Sequence, residues 1–420
     1  MYTFTKSDEM LARASKVIPA GVYGHLGPAE GCFIPISAYP KFSQKARGSK
    51  FWDMDGNEFI DYMCAYGPNV LGYGDEDVDR AFAEQAKLGN CTTSPSYKMV
   101  EFAERLVDQV TSADWAFFAK NGSDVTTFAM LIARVATGKS KMIFTKNYYH
   151  GVHQWTQTVD APWVVPGEVD NKIMVEFNDV EAVRKAIEEH GDEISAFIST
   201  PYMHGNFIDN VTPAPGYWQE IRKLCTENNI LLIIDDVRCG FRLDTRGSDY
   251  YYGFEADMIC FCKALANGYS VSALCGKDFL KGDAASIAYT GSYWLSAAHF
   301  AAGIACLDKM ERLGGGAKHR ELGSKVCAQL AAAAENNGVD LSITGEPSLF
   351  YTMIRNDDSL LLHQEWIANM VQRGIFMTNH HNHFTNLSLT DEEIQKTGEV
   401  ADEAFKALVK AHPEVNWGAK

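Results

Sequence analysis

Lys263 closes a largely apolar run, Ala256 to Cys262, and Asp235 and Asp236 close an earlier one, Leu231 to Ile234. An amine and an acid at the ends of two buried segments make an uncommon pairing, because lysine normally carries its charge out to water on a flexible stem. In an apolar wall the same amine loses affinity for its proton and becomes a nucleophile and a base, while a fixed carboxylate nearby keeps a cationic partner protonated. A third group is a candidate anion cradle: Lys120-Asn121-Gly122-Ser123-Asp124 leads into a helical stretch, Val125 to Thr137, closed by Gly138. Free N–H groups at that helix start, the Ser123 hydroxyl and a flexible Gly122 suit a phosphate. Alone, Asn-Gly-Ser before a helix is most often a turn and a cap. Tyr149-His150-Gly151, after the next strand-like run, adds an aromatic ring near the same edge, and it too is ordinary when taken singly.

Amine, acid, phosphate cradle and aromatic plate are together what pyridoxal phosphate requires. Its aldehyde needs an amine, its ring nitrogen a carboxylate, its phosphate N–H donors, and its ring flat walls. Of the two acids Asp235 is preferred for the ring; Asp236, one residue along an extended strand, points to the other face and reads as a hydrogen-bonded supporting acid.

The elements that must position these groups alternate. Lys141–Thr145, Lys172–Phe177, Ser195–Ser199, Ile230–Ile234, Asp257–Cys262 and Val271–Cys275 are short and rich in β-branched or aromatic residues, separated mostly by helical patterns. Asn178 with Glu181 predicts a capped helix ending near His190, and Tyr217–Asn229 predicts another. Such alternation implies an α/β protein with a largely parallel, buried sheet whose functional groups gather at strand C-terminal ends. Beyond about Thr290 the pattern changes to helices, Ser296–Leu313, His319–Asn336, Leu360–Arg373 and Asp391–Lys410, with strand candidates Leu349–Ile354 and Ile375–Met377. The expected division is an N-terminal segment 1–60 belonging to a small domain, a large cofactor-binding domain 61–300, and a C-terminal small domain 301–420. Gly314 to Gly316 read as the longest linker-like piece.

With 420 residues, 46% hydrophobic and 22% charged, the chain can bury a large core. A formal net charge of −16 disfavours nucleic acid and anionic membrane as partners. The ten cysteines are scattered without a CxxC pair, and no signal-like N-terminus or long apolar run is present, so reduced thiols and a cytoplasmic location are expected. Asp53, Asp55 and Gly56 read as a hairpin turn rather than a calcium loop. No metal site is expected.

LLIIDDVRCGFR followed by ADMICFCKALANGYSVSALCG resembles the signature of the class III, fold-type I pyridoxal-phosphate aminotransferases. KNGSDVTTFAMLIARVATGKSK is similar to that family's phosphate-binding segment, YYHG to its ring-stacking loop, and KFWDMDGNEFIDYMCAYGPNVLGY to its N-terminal hairpin. Nearly the whole chain is covered. Within the family the chain resembles the glutamate-1-semialdehyde aminomutase branch, and Asp-Asp-Val-Arg, MCAYGPN, KNGSD and HHNHF resemble its fumonisin-deaminating, bulky-amine subgroup. The resemblance implies a large domain with a mostly parallel seven-stranded sheet flanked by helices, plus a smaller α+β domain from the N- and C-terminal segments. It implies Lys263 as the Schiff-base lysine, Asp235 at the pyridinium nitrogen, Val237 and Tyr149 on the two ring faces, and Gly122 and Ser123 at the phosphate. Gly291-Ser292-Tyr293 aligns with a Gly-Thr-Tyr segment contributed by a neighbouring subunit, which implies a homodimer with shared sites.

Three departures stand out. Thr200-Pro201 replaces Glu-Pro, Cys262 replaces the glycine before the lysine, and Asn379 to Phe384 stands where related ω-aminotransferases place a movable arginine, so no carboxylate clamp is evident there. The histidines of that stretch are expected to hydrogen-bond a pocket rather than to converge on one ion. The function expected is transfer of an amino group from an amine, bulky or lacking an α-carboxylate, to a keto acid such as pyruvate. Tyr23, His25, Tyr66, Arg238, His381 and Asn382 are the candidate substrate-pocket residues. An aminomutase or racemase on the same residues is the alternative, and a non-catalytic α/β binding protein a third.

Overall fold

The computed structural model describes residues 1–22, 35–157, 162–165, 167 and 169–418. The chain divides into two compact units: Met1–Asp75 with Asn206–Asn210 and Lys318–Lys420, and Glu76–Gly205 with Val211–Ala317. The sequence reading drew its boundaries at 60/61 and 300/301. Residues just beyond 60 stay in the first unit because Gly48 and Tyr73 exchange backbone hydrogen bonds of 2.8 and 2.7 Å. The helix Ala297–Arg312 stays in the second because Gly303 and Phe300 pack on Phe102, so closely that a Cβ at Gly303 would stand 2.5 Å from the Phe102 ring.

The first unit carries two small sheets. Strands β1 (Ser43–Arg47), β2 (Lys50–Asp53), β3 (Glu58–Asp61) and β13 (Ile375–Phe376) lie in that order; β11 (Leu341–Glu346), β12 (Leu349–Ile354) and β14 (His383–Phe384) form the second. The turn between β2 and β3 is tied by the Asp53 carboxylate, which accepts the Asp55 and Asn57 N–H groups. Stacked aromatic pairs, Phe51 with Phe59 and Trp366 with Phe405, build its core. The helix Asp391–Ala411 starts where Thr390 and Glu393 bond each other's N–H reciprocally.

The second unit is built on a seven-stranded sheet of β4 (Trp115–Ala119), β5 (Lys141–Thr145), β6 (Lys172–Val175), β7 (Ile194–Ser199), β8 (Leu231–Asp235), β9 (Met258–Phe261) and β10 (Ser272–Gly276), in the order β4-β10-β9-β8-β7-β5-β6. β5 to β9 run parallel, and β10 is antiparallel to both its neighbours. Every residue of β7 to β10 is buried, which is why these strands read as continuous apolar runs rather than alternating ones. The helix Gly122–Thr137 buries Val125, Phe128, Ala129, Ile132 and Ala133, one helical face, and ends on left-handed Gly138.

Four local readings change. β4 and β11 were not read as strands: WAFFA is too short an apolar run to separate strand from helix, and LSITGE is only half-buried along its length. The helix at 180 is capped by Asp179, whose carboxylate accepts the Ala182 N–H, while Asn178 turns left-handed (φ 68°) and bonds Thr212 and Ala214 instead. Gly315 and Gly316 begin the helix Gly315–Asn336, so only Leu313 and left-handed Gly314 separate it from the helix before.

Candidate active site

Parallel pairing delivers Asp235 and Lys263 to one edge of the sheet. Asp235, the last residue of β8, pairs with Cys260 of β9, and Lys263 follows three residues on. After Phe261 the chain extends through Cys262 and then turns left-handed at Lys263 (φ 38°), which opens a tight helical turn, Lys263–Ala266. A left-handed non-glycine residue costs on the order of 1 kcal/mol or more, and such strain concentrates at functional positions. Part of the Lys263 surface stays open because it faces a cavity of about 520 Å³. Its ammonium is nonetheless desolvated. Burial first, and then the positive charge of Arg238, bring its pKa down to about 7, against weaker opposing pulls from Cys262 and Asp235.

The Asp235 carboxylate is held on two sides. His150 Nδ1 lies 2.7 Å from Oδ2, and the Val237 N–H donates to Oδ1 at 3.1 Å. An ionised carboxylate only accepts, so this geometry puts the proton on His150 Nδ1 and leaves Nε2, which is buried and lacks a partner among the described residues, as an acceptor. Asp236 turns to other company: Ser248 donates its N–H at 2.9 Å and its hydroxyl at 2.5 Å, and burial pushes this acid well above the usual carboxylate range.

Across the cavity stands the start of the helix Gly122–Thr137. Gly122 and Ser123 are its first two residues, so their N–H groups have no acceptor within the helix and line the cavity instead. Two close approaches favour glycine here, the second of them strictly. A Cβ on Gly122 would come within 3.0 Å of a Val237 methyl, and one on Gly151 (φ 114°) would meet Ser123 Oγ at 2.3 Å. The second contact lets the loop carrying Tyr149 and His150 settle on the helix start, where the Val152 N–H donates to Ser123 Oγ at 3.1 Å. Tyr149 lines the cavity with 55% of its surface open.

Seven of the candidates singled out in the sequence, Lys263, Asp235, Val237, Gly122, Ser123, Tyr149 and Arg238, therefore line this one cavity. Ser292 does not; it is exposed on the segment between Gly291 and Leu295. Tyr66, His381 and Asn382 belong to the first unit, where the Tyr66 and His381 rings meet edge-on at 5.2 Å and Asn382 donates to Asn210 at 2.7 Å. Tyr23 and His25 lie outside the described residues. His380, His381 and His383 are buried, and no group of three potential metal ligands occurs among the described residues. Sequence reasoning missed His150 and His204 as cavity residues. The first sat unassigned in a quoted motif, its partner Asp235 being 85 positions away. The second follows the end of β7, where a rule about strand C-terminal ends would have pointed.

The class-III aminotransferase family model matches residues 36–410. The chain belongs to the class-III aminotransferases. Among its relatives are an aminopentol aminotransferase of Sphingopyxis macrogoltabida, 34% identical over 97% of this chain and 95% of that protein, and a glutamate-1-semialdehyde 2,1-aminomutase of Desulforamulus reducens, 30% identical over 97% and 99%. The solved structure of the FumI protein of Sphingopyxis sp. MTA144, in its pyridoxal-phosphate internal aldimine form, superposes with a TM-score of 0.94 at 34% identity, covering 98% of this chain and 99% of that one. This class-III chain is a fold-type I, pyridoxal-phosphate-dependent aminotransferase that uses an amine and a keto acid. The cavity fits that cofactor on its own terms: a neutralisable amine, a carboxylate pinned by His150, a helix start kept open by Gly122, and an aromatic ring with an uncovered face are the donor set the group requires. No helix among the described residues is long and apolar enough to cross a membrane.

Proposed function

We propose that this aminotransferase takes the amino group of a bulky amine lacking an α-carboxylate and passes it to a keto acid such as pyruvate, with Lys263 as the catalytic residue. The observation that carries the reading is a lysine with a pKa brought down to about 7 opposite a carboxylate held by His150, in one cavity. When bound, pyridoxal phosphate supplies an aldehyde for amines and a ring that spreads the charge of a deprotonated carbon. Lys263, roughly half of it neutral near pH 7, is first the nucleophile that holds the cofactor. With the cofactor bound, Lys263 Nζ would take the proton from the donor's α-carbon in the first half-reaction and would supply a proton to the acceptor's reacting carbon in the second. Asp235 would keep a proton at the ring nitrogen, and His150 orients the Asp235 carboxylate. Gly122 and Ser123 hold the phosphate, while Val237 and Tyr149 flank the ring.

The bulky donor is supported by the likeness to a protein named for an aminopentol. Ser292 serves the cavity of a second copy in a homodimer, a reading supported by its exposure and by its not lining the cavity of its own chain. The nine described cysteines are free thiols, which suits a cytoplasmic protein. Tyr66, His381 and Asn382 are proposed for the substrate side. The test is the visible absorption band of the purified protein: an amine donor bleaches it, pyruvate restores it, and Lys263→Ala shows neither change. A band that cycles substrate to isomer without any added keto acid would give the site to an aminomutase.

A further inference from the structure

Arg238 offers what the C-terminal segment lacks. It is 8% exposed, lines the cavity, and is anchored from behind: Nη1 donates to the His204 carbonyl oxygen at 2.9 Å and meets His204 Nδ1 at 3.0 Å. Burial and the neighbouring guanidinium hold His204 well below its ordinary pKa, so its ring is neutral and Nδ1 can accept. His204 Nε2 is buried in the same wall without a partner among the described residues. The guanidinium also lies close enough to Lys263 to be the largest charge acting on that amine. Lys263 and Arg238 are the cations of this cavity, and Lys263 is committed to the cofactor aldehyde.

In an α-keto acid the carboxylate is bonded directly to the carbon that reacts, so the cation that reads it must stand beside the reacting amine and not at the far end of the pocket. A donor without an α-carboxylate makes no use of such a cation. We infer that Arg238, positioned by His204, is the residue that recognises the carboxylate of the keto-acid acceptor. The inference rests on the transaminase reading above and names its acceptor-specificity residue.

The test compares pyruvate with propanal, an acceptor of similar size without the carboxylate, in the wild type and in Arg238→Gln. The ratio of their kcat/KM values does not depend on how much of a variant folds. Loss of a charge-assisted hydrogen-bonded pair should lower the pyruvate-to-propanal ratio about 10- to 100-fold, mainly through KM for pyruvate, with the donor half-reaction affected less. Arg238→Lys should recover part of the ratio, and His204→Ala should shift it in the same direction by about tenfold or less. Calorimetric titration of the unreactive carboxylate propionate into the cofactor-loaded protein reads the same site without turnover, and Arg238→Gln should weaken it at least about tenfold. A wild type that accepts propanal as readily as pyruvate overturns the inference, as does equal propionate affinity in wild type and variant. So does an apoprotein whose affinity for pyridoxal phosphate falls more than about tenfold in Arg238→Gln while the acceptor ratio holds, since the arginine would then serve the cofactor. Failure of the amine to bleach the wild-type band would sink the transaminase reading and still leave the propionate titration to judge Arg238.

Discussion

The two ends of the central sheet each border a cavity, and the one at the strand starts is the larger, about 640 Å³ against about 520 Å³ at the strand ends. Its lining is just as charged, and both of its cations are paired. Arg222 donates to Asp257 at 2.8 Å, the same carboxylate accepts the Leu232 N–H at 2.7 Å, and Lys277 pairs with Glu255 at 3.1 Å. At the other end two cations, Lys263 and Arg238, are desolvated beside each other, and His150 and His204 each keep a buried ring nitrogen without a partner among the described residues. Size does not separate the two cavities; the desolvation of two neighbouring cations does. Stability alone would remove like charges from a low-dielectric wall, so their presence is what points to this end as the candidate active site.

That contrast can be broken most forcefully at Lys263. Lys263→Ala should lower turnover by roughly 10⁴-fold or more, since nucleophile and proton carrier vanish together, and single-turnover absorption measurements will show it. Asp235→Asn should follow, costing on the order of 10²–10³-fold in the donor half-reaction while the protein still folds. The depressed Lys263 also sets a pH dependence. Because the neutral amine is the reactive form, uptake of pyridoxal phosphate by the apoprotein should rise about tenfold per unit up to a midpoint near pH 7 and level off above it. Arg238→Gln, by removing the neighbouring positive charge, should move that midpoint upward. A midpoint that stays put would show that the two cations do not oppose each other.

At the matched end the sign reverses, with stability affected and activity spared. Asp257→Ala removes the ion-pair partner of Arg222 and the acceptor of the Leu232 N–H, so urea unfolding should report a loss of about 1–3 kcal/mol with turnover per folded molecule unchanged. Glu255→Gln, whose carboxylate is mostly exposed, should cost under about 0.5 kcal/mol. Should either variant cripple catalysis, the distinction between the two ends would fall.

Much of this was legible before any coordinates. Six of the seven sheet strands appear within two residues of where their apolar runs predict, four of them because strands buried on both faces must be short, continuous and apolar. The seventh, Trp115–Ala119, was lost because five apolar residues carry no periodicity. The amine, the acid and the anion cradle were readable because each is a residue type at odds with its local surroundings: a lysine in an apolar run, two aspartates after four aliphatic residues, glycine and serine at a helix start. The Asn178 cap slipped by one residue since Asn and Asp both suit the role, and Asn178 was drawn off by Thr212 and Ala214, which only the folded chain brings near.

By itself the sequence determined which groups the protein owns and, through hydrophobic pattern and strand order, the sheet edge at which they must emerge, because those features depend on near neighbours along the chain. Only the tertiary structure decided how the groups act on each other. That His150 grips Asp235 across 85 positions, that His204 holds Arg238 across 34, and that Arg238 bears on the proton affinity of Lys263 are distances through space. Electrostatic coupling in a desolvated cavity depends on those distances and on burial, and neither is written in the order of the residues.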